Sequence, residues 1–191
     1  TDDQGRYLVP DLPQATYSIW VRGYGLVDSA RQQVERGRSL ALTATPAPDE
    51  KTAAKVYPAI YWYSMMKIPP EAEFNGKGEI PDGVSRAGWL MAMKSNGCIG
   101  CHQLGQLSTR TIPDALGRFD SHEDAWIRRV QSGQSGEQMV NQIASSLGGA
   151  PFKYFADWTE RVAKGELPHA KPKRPEGVER NIVVTSWEWG D

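Results

Sequence analysis

The residues best suited to chemistry in this chain are Cys98-Ile99-Gly100-Cys101-His102. They hold both of its cysteines, with a histidine directly after the second. A C-x-x-C-H run reads as a covalent attachment site for c-type haem. Each thiol can add to one vinyl group of the porphyrin, and two intervening residues span the distance between those vinyls. The histidine then falls under the ring, where its imidazole can serve as the proximal iron ligand. Three readings compete. A thioredoxin-like redox pair shares the C-x-x-C spacing but belongs near a βαβ pattern, which is not found here. A zinc site needs two further ligands at paired spacing, whereas His122 and His169 stand alone. A chance match is the blandest reading, because two of the five positions are wildcards.

The elements that must position this run are helical. Val84 to Ser95 places Trp89, Leu90 and Met93 on one face and stops at Asn96-Gly97, directly before the motif. A loop comes after it, through Thr109-Arg110-Thr111-Ile112-Pro113 and on to Gly117. A second helix opens at Ser121, with Ser121 as cap and Glu123-Asp124 in an acidic first turn. It stops near Ser132-Gly133. Gln138 to Leu147 forms a third helical stretch, closed by Gly148-Gly149. The last, Pro151 to Lys164, carries Phe152, Phe155, Trp158 and Val162 as an apolar stripe at helical spacing.

This order of helix, C-x-x-C-H, loop and helices is similar to class I cytochromes c, and the resemblance covers residues 84–166. It implies a crossing of the first and last helices, with Gly88 beside Trp89 facing Phe155 and Trp158. It implies that the Pro113 carbonyl accepts the imidazole N–H of His102, fixing the ring. It also implies Met139, after Gly133-Gln134-Ser135-Gly136, as the sixth iron ligand, although Val140 stands next where the family often has proline. His122 is the main competitor, and another methionine, His169 or an open position stays as an alternative. Haem propionates need donors, for which Arg110 and the Trp126 indole N–H are the candidates. Arg128 and Arg129 read as an exposed helix face.

Upstream, residues 1–45 have β character. Arg6-Tyr7-Leu8-Val9, Tyr17 to Arg22 and Ser39 to Ala44 are the expected strands, separated by turn clusters. Thr1-Asp2-Asp3-Gln4-Gly5-Arg6-Tyr7, then Leu12-Pro13 and Thr16-Tyr17-Ser18-Ile19, resembles the second half of a carboxypeptidase regulatory-like β-sandwich. The earlier strands of such a sandwich are absent, so a further segment, domain or subunit is expected to complete the sheet. Residues 46–83 read as a linker with an aromatic packing segment around Tyr57, Tyr61, Trp62 and Tyr63. Residues 167–191 read as an extended, proline-rich basic tail ending in a strand. Where such a sandwich and a haem domain occur together a lyase-like β-propeller commonly comes next, a fold-level analogy only. The fold class expected is therefore α+β in two modules: a partial antiparallel β-sandwich, then an all-α cytochrome c domain and a strand-like tail.

Charge and hydropathy narrow the function. With 191 residues and a formal net charge of −1, the chain lacks the basic excess of a nucleic-acid binder. No apolar run approaches the ~18 residues that span a bilayer. No secretory signal pattern opens the chain, which therefore reads as a mature or trimmed product. Covalent haem is assembled outside the bacterial cytoplasm, so the expected location is periplasmic or otherwise extracytoplasmic. The function expected is one-electron transfer by a single covalent haem c, ligated by His102 and Met139, to a redox partner protein. The alternative is a haem-bearing subunit or domain of a larger periplasmic dehydrogenase or oxygen-dependent enzyme.

Overall fold

Helices form where apolar spacing and capping agree. A computed structural model describes residues 2, 4–101, 103–149 and 152–168, with the side chains at 95, 96 and 101 outside the description. The chain is α+β, with helices and two small two-stranded antiparallel sheets. It divides into two compact units, one of the described residues up to Tyr57 and one spanning Pro58–Pro168.

In the first unit, β1 (Thr16–Ile19) pairs with β3 (Gln32–Glu35), and β2 (Leu26–Val27) pairs with β4 (Thr45–Pro46). The first register sets Tyr17 against Val34, both half-buried, while Thr16 and Ser18 face water. That alternation is what a one-sided antiparallel pair requires. The opening turn is held by Asp2, whose carboxylate accepts the backbone N–H groups of Gln4 and Arg6. Two expected strands are not formed. Arg6 to Val9 pairs with no strand among the described residues, and Leu8 is left 87% exposed. Ser39 to Ala44 is irregular, and the pairing falls instead on Gln32–Glu35, whose polar sequence gives no apolar alternation. Asp49 then caps the short α1 (Glu50–Ala54), accepting from the Thr52 N–H at 2.7 Å.

In the second unit, α2 (Ala59–Tyr63) buries Ala59, Trp62 and Tyr63, so residues read as connector contribute core. Phe74 and Ile80 anchor the loop after it. Next come α3 (Arg86–Met91), α4 (Cys98–Cys101), α5 (Leu107–Arg110), α6 (His122–Val130), α7 (Gly136–Ser146) and α8 (Phe152–Ala163). The apolar stripe of α8 packs as its spacing implies. Trp158 is fully buried, and Phe155 stacks on Trp126 of α6 with ring centroids 4.6 Å apart. Trp89 of α3 meets Tyr154 of α8 edge to face. Gly88 takes no part in that crossing: a Cβ there would meet only the Ser85 hydroxyl, which caps α3 from its own side. No helix among the described residues is long and apolar enough to cross a membrane. The tail from His169 onward lies outside the described residues.

Ser121 caps α6, its hydroxyl accepting the Asp124 N–H at 3.1 Å. Replacing it by Ala is expected to lower stability by about 1 kcal/mol. In urea unfolding this appears as an earlier midpoint at unchanged slope.

Candidate functional site

The attachment run comes directly after an irregularity in its helix. Beyond Met91 the α3 ladder widens into a single π-turn, Ala92–Asn96, closed by the Gly97 N–H on the Ala92 carbonyl at 2.9 Å. Such i→i+5 turns are rare, and they concentrate at functional sites because they re-aim the chain beyond them. Gly97 is required by space here. A Cβ would run into the Ala92 carbonyl oxygen and press on the Gln142 side-chain amide of α7. The chain then enters α4, with Cys98 at its first position and Cys101 at its last. Positions three apart on one helical turn share a face. The Cys101 side chain and all of His102 lie outside the described residues.

Cys98 is half-buried and packs against the core, its Sγ 3.9 Å from the Met93 Sδ. Met93 is itself buried, and its carbonyl accepts the Tyr63 hydroxyl at 3.3 Å. Burial, with a smaller contribution from charge on Cys98, pushes the Tyr63 phenol up to about 12, so it remains a neutral donor at ordinary pH. Met139 lies in the first turn of α7, its N–H on the Ser135 carbonyl, and is packed with Cys98, Met65 and Met66 against the same core. Of these sulfurs, the Met93 thioether is the one in contact with Cys98.

The other residues singled out by sequence divide. Arg110, 5% exposed on α5, donates to the Gly105 carbonyl at 2.7 Å and lies over the Trp62 ring. Trp126 directs its indole N–H into the junction of α6 with α8, to the Thr159 hydroxyl at 3.2 Å. His122 stands in the first turn of α6, with Nδ1 2.8 Å from that same hydroxyl. The Pro113 carbonyl is on the surface and accepts the Leu116 N–H at 2.9 Å.

Arg128 is exposed as its position on the helix face implies, but Arg129, expected on the same face, is half-buried. It lies over the Trp126 ring and donates to the Thr109 and Thr111 carbonyls. Burial lowers its pKa from the ordinary guanidinium value. Trp62 and Tyr63, in the stretch whose composition reads as a linker, are buried residues of α2. Nothing in their local pattern marks them, because their roles depend on partners 30 to 96 positions away. Trp62 Nε1, Trp89 Nε1 and Gln106 Oε1 are buried side-chain polar atoms with no hydrogen-bond partner among the described residues.

Gly97→Ala is expected to destabilise by about 1–3 kcal/mol through the forced contact. Gly100→Ala, with open space at its Cβ, is the neutral control in the same unfolding series. The raised Tyr63 pKa also fixes a sign. The folded state holds that proton more tightly than the unfolded chain. Its contribution is therefore complete below pH 10 and is lost as pH rises through about 12. In Tyr63→Phe this alkaline component of the stability profile is absent.

No protein-family model matches this chain, and neither a curated protein nor a solved structure is significantly similar to it.

Proposed function

We propose that the chain is a c-type haem protein that transfers single electrons in an extracytoplasmic compartment. The observation that carries this reading is the C-x-x-C-H run holding both cysteines, with Cys98 set half-buried against an apolar, methionine-rich core. The residues fit the group. The Cys98 thiol stands beside the Met93 thioether, and the same unit holds a buried guanidinium, Arg110, that could serve a propionate.

In this reading Cys98 and Cys101 tether one haem c, His102 ligates the iron and Pro113 orients His102. Met139 is the sixth ligand, a soft donor that favours the ferrous state and raises the potential. Arg110 is the donor for a propionate. Trp126 serves that role only by giving up its bond to Thr159. The haem supplies the one-electron couple, while the protein sets its polarity, ligation and exposure. Residues 84–166 are the class I cytochrome c part. Residues 1–45 are part of a carboxypeptidase regulatory-like sandwich, completed by a further segment or subunit such as a β-propeller.

Intact mass and visible spectra, oxidised and reduced, test the reading together. Chain expressed with haem-maturation machinery is expected to gain the mass of one haem and to show a low-spin spectrum. A chain mass with no porphyrin increment would overturn the function. Met139→Ala is expected to abolish the low-spin methionine signature, and an unchanged spectrum would sink that ligand.

A further inference from the structure

A route of contacts leads from α2, ahead of the haem-like segment, into the attachment run. Tyr63 donates from its hydroxyl to the backbone carbonyl of Met93, the second residue of the π-turn. The Met93 side chain in turn touches the Cys98 sulfur at 3.9 Å. One buried residue therefore receives Tyr63 through its backbone and meets Cys98 through its side chain. The Tyr63 ring is held from behind by Trp158, edge to face with centroids 6.3 Å apart. Trp158 is pinned by its own indole N–H to the Trp62 carbonyl at 2.9 Å. The hydroxyl therefore cannot swing away without unpacking α8 from α2.

We infer that Tyr63 is a positioning residue for the attachment site, its hydroxyl holding the π-turn from whose end Cys98 is presented. For its purpose the inference rests on the haem reading, but the contacts do not. A π-turn is a local departure from the regular ladder, and its opening releases Gly97 and everything after it. A donor from outside the helix onto a carbonyl inside the turn ties that irregular segment to the rigid core. With the turn closed, Cys98 stays in one orientation relative to Cys101, as sequential addition to two vinyl groups demands. With it open, the Cys98 thiol samples water.

The test is alkylation of the reduced, haem-free chain by a neutral maleimide, with label at Cys98 located by peptide mapping. Tyr63→Phe keeps the ring and removes the hydroxyl. It is expected to raise the Cys98 labelling rate about fivefold, the change in an opening equilibrium that accompanies loss of one buried hydrogen bond. Thr159→Val removes a buried hydroxyl between α6 and α8 and is expected to leave that rate at the wild-type value. Equal rates in Tyr63→Phe and wild type, or an equal rise in Thr159→Val, would overturn the inference. Should Tyr63→Phe not fold, hydrogen exchange in the wild-type chain decides. Peptides covering 92–98 and 59–63 are expected to share one protection level, and faster exchange in 92–98 overturns the inference. A wild-type chain that takes up no haem removes the proposed function and leaves the labelling comparison standing.

Discussion

The second unit depends on one buried bond, from the Trp158 indole N–H of α8 to the Trp62 carbonyl of α2. It joins segments 96 positions apart and places the largest side chain of α8 in a fully buried site. Removing a side chain of this size from a core typically costs about 3–5 kcal/mol. The N–H needs its acceptor, because a buried indole donor without one forfeits much of what the ring gains. Around this point Tyr63 packs on Trp158, α6 stacks on α8 through Trp126 and Phe155, and α3 reaches α8 through Trp89. The attachment run sits on this scaffold rather than forming it.

Below the scaffold is a second tier of restraint, made of guanidinium groups on carbonyls. Arg110 and Arg129 bind the loop after the motif at Gly105, Thr109 and Thr111, and each lies over a tryptophan ring. A planar fork suits two carbonyls and a ring face at once, which an ammonium cannot imitate. The chain leading into Pro113 is therefore held at Gly105, Thr109 and Thr111, and a single 3-10 turn, Asp114–Leu116, comes directly after that proline.

How much the sequence discloses depends on how local each feature is. The α6 start is readable because Ser121 and the acidic residues after it act within one turn, and they cap as their types imply. The α8 stripe is readable because its period is regular over three turns. The strand pairing is not. Gln32–Glu35 offers no apolar alternation, and Arg6 to Val9 offers some but has no strand partner among the described residues, since a strand is decided by its neighbour. Nor does composition mark the π-turn, because a change of one residue in ladder register leaves no trace in residue type. The chemistry of the motif is legible from spacing alone. Its presentation by Gly97, Met93 and Tyr63 requires contacts that only the fold brings together.

Gly105 carries one more implication. With φ +99 and its α-carbon against the Ala59 carbonyl, it leaves room for hydrogen alone where the motif loop meets α2. Two backbones in direct contact have no rotamer through which to accommodate a foreign neighbour. A piece of chain cut near residue 84 would therefore part Gly105 from the α2 backbone it lies against, whereas one that begins at Pro58 keeps the two together.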